Sequence, residues 1–499
     1  MSAHYDWPAR TEFLNRKADL ARLDEWWEGR DRNALALYGR RRVGKSWLLR
    51  AFAHGKPARI LIADQGAPAL QLGRFADSLE PLLGVRPDLP DLPALFRALY
   101  RLAGRERALV VIDEFPYLLP STERARREVL SGVQAAIEEE RDASKLKLVL
   151  CGSHIGQMRG LLGEESPLRG RLTPLATEPL SFEDARPFIA DGDARSRVER
   201  FAVAGGMPMY LAELGGGTSL RAAVCSAVLD PRGPLFNDPR EILEEELRRP
   251  GTYFSLLEEL ARGERRMESL TGALRVSHSA LGPYLNELAR MQLVEKRAPL
   301  TARRDMRYRL RDGFLRFWFR FVFPFQESLR AGAPLGDHYD AEIAPALADH
   351  VAPVFEGLCR RWALREMGGR VTRVGPWWGR SLDSLRATGE RSGEEIDVVG
   401  SARSKVTLVG ECKWTTGRMS PRALTDLEQF KLPALRQAGA RFPAAGPEIA
   451  LFSKSGFKDS LVDLAAGRDD IRLVDVDDVA AGLEVGQRHL EGRGVERQS

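Results

Sequence analysis

Cysteine is scarce. Cys151, Cys225, Cys359 and Cys412 are the four in 499 residues, widely separated and without a CxxC pair, which excludes a disulfide scaffold and a Cys-built zinc site and fits a reducing compartment. Long apolar runs are missing too: nothing approaches the ~18 residues of a membrane span, and the opening segment MSAHYDWPARTEFLNR has no apolar stretch of an export signal. Neither membrane insertion nor secretion is expected, and a cytoplasmic location is. Charge of one sign is lacking as well. The 75 basic and 70 acidic side chains leave a formal +5, too small a surplus to name a partner. With 43% hydrophobic residues the chain can bury several cores, and its length suggests about three domains.

From Phe13 to Val149 short apolar runs alternate with amphipathic stretches, the pattern of βα units around a mostly parallel sheet. Strands are expected at Ala34–Tyr38, Arg59–Ala63, Leu109–Asp113 and Leu146–Cys151, and helices at Lys45–Ala53 and Leu92–Leu102. The expected division is an α/β P-loop domain with a helical lid over 1–240, a winged helix-turn-helix domain with an aromatic connector over 241–345, and a nuclease-like α/β domain over 346–499. The connector, Phe314 to Phe325, crowds aromatic side chains around Arg316 and Arg320 and is expected to be core, being far shorter than a bilayer span of about 20 residues.

The sharpest motif is Gly39–Ser46, GRRRVGKS, between the apolar run ALALY and the helical WLLRAF. It fits the phosphate-binding loop, in which successive backbone N–H groups at a helix start hold an anion. Gly39, Arg40, Arg41, Arg42, Val43, Gly44, Lys45, Ser46 and Trp47 are the expected nucleotide contacts, with Lys45 on the β and γ phosphates and Ser46 on Mg2+. Downstream, LVVIDE ends an apolar strand in two acids. Asp113 is placed to hold the hydrated Mg2+ and Glu114 to orient or deprotonate the attacking water; this order favours hydrolysis over simple nucleotide sensing. Ser153, ending LKLVLCGS, has either a γ-phosphate or water contact or only a turn to make. Arg169 and Arg171 in SPLRGRL are candidate arginine fingers, from the same molecule or a neighbour.

Together FLNRKADLARL, GRRRVGKS, VVIDEFPYLL, LVLCGSH, SPLRGR and GGMPMYL resemble the archaeal-type P-loop ATPase family, related to the STAND and AAA-type ATPases, over roughly residues 10 to 240. The resemblance implies adenine nucleotide, hence ATP, and the absence of a guanine-reading NKxD agrees.

Between Tyr253 and Leu293 three amphipathic segments precede two short basic strands at Leu293–Arg297 and Met306–Leu310, the layout of a winged helix. Pro283 is costly beyond a first turn, so the third helix is expected to begin later than Ser277. Five arginines, Arg303, Arg304, Arg307, Arg309 and Arg311, stand against Asp305 in the hairpin. Arg303, Arg304 and Arg307 are the candidate DNA-phosphate contacts; intramolecular packing is the alternative.

In GEEIDVVGSARSKVTLVGECKW, Glu411 and Lys413 lie two apart on one strand, on one face, and pairing across a turn at about Gly400 to Lys405 brings Asp397 beside them. Asp397 and Glu411 suit Mg2+, and Lys413 the attacking water or the pentavalent transition state. This resembles the PD-(D/E)xK, restriction-endonuclease-like superfamily, with Ile396 in place of its proline. The resemblance implies a further acid at Glu356, a helical glutamine at Gln429, and a site that either cleaves or only binds. The archaeal-type ATPases often carry such a domain behind a winged helix and an aromatic connector. Two functions follow as expectations: an ATP-dependent enzyme acting on DNA, or a regulatory ATPase switch that binds DNA or protein without cutting. A homo-oligomer or a protein partner is left open.

Overall fold

The computed structural model describes residues 15–29, 33–104, 106–247, 250–301, 305–382 and 393–484. The chain folds as two compact units, divided after Leu180, with Met207–Met209 counted to the first. The helices between 181 and 240, grouped by sequence with the P-loop, fall in the second apart from those three residues.

The first unit is a parallel sheet in the order β2-β3-β4-β1-β5, formed by β1 (Ala34–Tyr38), β2 (Ala58–Ile62), β3 (Ala108–Asp113), β4 (Leu146–Gly152) and β5 (Leu172–Ala176). Its central strands are buried on both faces, which is why they read as unbroken apolar runs. The helices Pro68–Leu83, Leu92–Leu102, Glu123–Glu140 and Ile155–Leu162 pack on one face, and Lys17–Glu28 and Lys45–Ala53 on the other. Leu92–Leu102 starts where Asp91 accepts from the Ala94 N–H at 2.8 Å, an ordinary N-cap. The fifth strand is not among those expected, and it contains Pro174. Pro174 pairs opposite Ala36 at the sheet's edge, where a residue without an N–H is tolerated.

The second unit holds two sheets. The smaller is antiparallel, β6 (Arg265–Arg266), β7 (Val294–Arg297) and β8 (Arg307–Leu310) in the order β6-β8-β7, with the helices Pro250–Ala261, Met267–Leu274 and His278–Arg290. The last of these begins directly after Ser277, whose hydroxyl accepts from Ala280 at 3.2 Å, and runs through Pro283. The delayed start expected for it does not occur: Pro283 cannot donate to the carbonyl of Ser279 one turn earlier, and Ser279 is an exposed residue. The aromatic segment forms the helix Gly313–Phe321, capped by Asp312 on the Leu315 N–H at 2.9 Å. As expected it is core, with Trp318 fully buried and its indole N–H on the Phe236 carbonyl at 2.8 Å.

The larger sheet has the order β13-β12-β11-β10-β9, from β9 (Arg373–Gly379), β10 (Glu394–Ala402), β11 (Lys405–Lys413), β12 (Glu448–Ser453) and β13 (Ile471–Asp475). Its first three strands form an antiparallel meander and its last three run parallel. Arg403 and Ser404, with φ of 48° and 65°, make the two-residue turn between β10 and β11. The long helix Leu347–Glu366 packs on this sheet. Among the described residues no helix is long and apolar enough to cross a membrane.

Candidate functional site

Gly39 leaves the end of β1 where any side chain would collide with the Thr177 carbonyl, 2.3 Å from its ideal Cβ. Gly44, at φ +91°, supplies the left-handed turn that starts the helix Lys45–Ala53. Between them the chain bends back so that the Lys45 Nζ donates to the carbonyls of Gly39 at 2.9 Å and Arg40 at 3.1 Å. The lysine is thus already drawn over the loop it closes. Arg41 donates to the Tyr117 hydroxyl at 3.1 Å, Arg42 holds a positive φ of 65°, Val43 is buried, and Trp47 is exposed just beyond the loop.

At the C-terminal end of β3, Asp113 is 8% exposed and its Oδ2 accepts from the Ser46 hydroxyl at 2.9 Å. Two hard oxygen donors expected on one Mg2+ therefore stand side by side, from segments 67 residues apart. Glu114 follows at φ 51°. Its Oε2 accepts from both the backbone N–H of Ser153, at 3.1 Å, and its hydroxyl, at 2.9 Å. Ser153 at the end of β4 is thus tied to the expected water-handling acid.

Arg171 does not join this group. It directly precedes β5, its carbonyl bonds the Ala34 N–H at 3.2 Å, and its guanidinium pairs with Glu138 at 2.6 Å. β5 lies beside β1, but Arg171 stands at the N-terminal end of the strands and the phosphate loop at their C-terminal end, about 16 Å away along a five-residue strand. The expectation that Arg171 could reach the γ-phosphate within its own molecule is corrected on that ground. Arg169, paired with Glu164 at 3.5 Å, is exposed in the same segment.

In the second unit β10 and β11 do bring Asp397 to Glu411: the Asp397 Oδ2 accepts from the Cys412 N–H at 2.8 Å. Glu411 is buried, Lys413 stands 3.8 Å from it and is half exposed, and Lys431 reaches it at 2.5 Å. The helical residue meeting the acid is Lys431, two positions past Gln429. Glu356, on the helix Leu347–Glu366, pairs with Arg360 at 3.5 Å, and Arg360 also bonds the Asp397 carbonyl at 2.6 Å. Burial and the charge of Asp397 push the Glu356 and Glu411 carboxyls well above the usual range. Among the described residues no group of three or more acids, histidines or cysteines is arranged around one metal position.

Of the candidate DNA contacts, Arg303 and Arg304 lie outside the described residues. Arg307 pairs with Glu395 at 2.9 Å and lies 4.2 Å over the Trp378 ring. Leu300 N–H to the Pro376 carbonyl and Trp378 indole N–H to the Asp305 carbonyl, each 2.9 Å, fasten the same hairpin to β9. Arg309 is held by Glu295 at 2.7 Å. The packing alternative describes Arg307 better than an open phosphate contact.

Residues 31–185 match the family model described as AAA domain, and residues 318–425 match one described as archaea bacterial proteins of unknown function. An uncharacterized protein of Methanocaldococcus jannaschii, MJECL04, is 26% identical over 414 residues, which is 81% of this chain and 87% of that protein. The Walker-type ATPase PABY2304 of Pyrococcus abyssi is 23% identical with a TM-score of 0.45, covering 62% of this chain and 97% of its own. The Orc2 protein of Aeropyrum pernix is 16% identical with a TM-score of 0.40, covering 66% and 96%. The loop geometry and the AAA match agree: the first unit is a P-loop ATPase domain that takes ATP.

Proposed function

We propose that the chain is a Mg2+-dependent ATP hydrolase whose second unit acts on DNA. One observation carries the first half: the Ser46 hydroxyl bonded to Asp113, beside Lys45 at the start of the same helix. Both are oxygen donors of the kind Mg2+ prefers, and Ser46 and Asp113 are the residues that would hold it. Mg2+ held there would supply neutralisation of the charge on the phosphoryl group being transferred. The chain's own residues do the rest. Lys45 exchanges the Gly39 and Arg40 carbonyls for phosphate oxygens. Glu114 leaves Ser153 to take the proton of the water whose oxygen forms the new bond to the γ-phosphorus as the bond to ADP breaks.

For the second unit, the three helices with the β6-β8-β7 sheet support a winged helix, and the Asp397, Glu411 and Lys413 grouping supports a restriction-endonuclease-like domain with a Mg2+-dependent phosphodiesterase site. Arg303 and Arg304 are the candidate phosphate contacts of the winged helix. A second reading, a regulatory switch that binds DNA or protein without cleavage, is favoured by two contacts: Lys431 already neutralises Glu411, and Arg307 is spent on Glu395 and Trp378. Plasmid DNA incubated with ATP and Mg2+ or Mn2+ separates the two, beside the Lys413→Ala and Lys45→Ala variants. Cleavage lost in Lys413→Ala supports the enzyme; intact DNA with ATP consumed leaves the switch.

A further inference from the structure

Arg16, in the FLNRKADLARL segment that precedes the phosphate loop, stands at the start of the helix Lys17–Glu28 and is buried to 7% exposure. Its backbone is held at φ 75°, with its N–H on the Asn15 Oδ1 at 2.8 Å. The guanidinium is fully directed inward. Nη1 donates to the Glu178 carbonyl at 2.8 Å and to Asp19 at 3.1 Å, and Nη2 donates to the carbonyl of Val43. Glu178 directly follows Thr177, whose N–H bonds the Tyr38 carbonyl at 2.7 Å, so this anchor is fixed to the end of β1. A side chain at Gly44 would meet the Arg16 Nε at 3.9 Å and Pro208 at 3.5 Å.

The peptide joining Val43 to Gly44 is planar and trans, so its C=O and N–H point in opposite directions. With the Val43 oxygen held by Arg16, the Gly44 N–H points away from the guanidinium. Gly44, at φ +91° and without a Cβ, would otherwise let this peptide rotate at little steric cost. A nest of N–H groups binds an anion only when all of them point inward before it arrives.

We propose that Arg16 is a positioning residue for the phosphate loop: it braces the Val43–Gly44 peptide against the end of β5 and so presets the Gly44 N–H toward the nucleotide phosphates. The inference rests on the ATPase reading of the loop. Three of the guanidinium's N–H groups go to Asp19 and the two carbonyls, so the role proposed for it is exerted through the loop backbone.

The test is calorimetric titration of the full chain with ATP and, separately, with inorganic tripolyphosphate, which has phosphates but no base. Arg16→Met is expected to weaken both ligands by the same factor, about tenfold or more, the worth of one charge-assisted hydrogen bond. Arg16→Lys keeps the cation but cannot hold Val43 and Glu178 together, and is expected to weaken tripolyphosphate threefold or more. Cooperative unfolding and near-ultraviolet dichroism identify which variants are folded, and the lysine variant serves where the methionine one is not. Wild-type affinity for tripolyphosphate in a folded variant overturns the proposal, as does a loss confined to ATP, which would make Arg16 a base contact. Wild-type protein that binds neither ligand defeats the ATPase reading itself, a different result from any of these.

Discussion

At the scale of single residues, the nucleotide site works by holding groups where bulk water would scatter them. Lys45→Ala removes the one ammonium over the loop, and Glu114→Gln removes the proton acceptor. We expect ATP turnover to fall by about 10²-fold or more in each, while Glu114→Gln retains ATP binding in filter or calorimetric assays. Turnover persisting in Lys45→Ala would end the assignment of this loop to ATP. Gly39→Ala has no room beside the Thr177 carbonyl, and is expected to lose ATP binding even where the chain still folds. The acid site of the second unit answers to burial instead. Lys431 is the partner that favours the ionised form of Glu411 against burial and Asp397, so above neutral pH Lys431→Met strands a buried carboxylate and costs on the order of 3 kcal/mol. The carboxyl then takes up a proton, its folded value rising further above that of the unfolded chain. Folded protein binds more protons than unfolded across that interval, so the loss seen by urea unfolding should be smaller at pH 5 than at pH 8. An equal loss at both would show that Glu411 is not the group concerned.

At the scale of elements, the aromatic helix Gly313–Phe321 organises the second unit. His350 packs its ring 5.5 Å from that of Phe317, and its Nε2 meets the Ala202 carbonyl at 3.0 Å. Burial first, and then Arg316, hold its basicity well below the usual histidine value. A base depressed in this way is neutral in the fold and protonated in the unfolded chain below about pH 6.5, so its contribution is present above that pH and is lost as acid is added. The second unit should therefore lose stability as pH falls below about 6.5, with a shallower slope in His350→Gln. An unchanged slope would place the titrating group elsewhere. The hairpin of β7 and β8 makes the opposite case from an exposed wing, because Arg307 is packed on Trp378. Replacing Arg307 should leave the salt dependence of any DNA binding unaltered, whereas an open phosphate contact would reduce the slope by about one.

At the scale of the whole molecule, Arg171 stands at the end of the parallel strands opposite its own phosphate loop, so any finger role needs a neighbouring copy. Mixing Lys45→Ala with Arg171→Ala chains should then give more ATP turnover than the two separately, since each lends what the other lacks. Simple addition of the two rates would remove Arg171 from the machinery.

Sequence alone determined what local order can encode. β1 and the helices Lys45–Ala53 and Leu92–Leu102 fall at the bounds the periodicity predicts, because each is specified by its own apolar pattern and its flanking glycines or cap. The phosphate loop and the Asp113, Glu114 pair were legible for the same reason, their chemistry lying in consecutive residues. β5 carries Pro174, whose tolerance depends on a place at the sheet's edge that the sequence does not state. Tertiary structure alone decided which distant groups meet: Lys431 rather than Gln429 on Glu411, Arg16 on the loop backbone, Arg307 on Trp378, and Arg171 away from the nucleotide. These partners lie far apart along the chain and obey no period, so only the packing of separately encoded elements selects them.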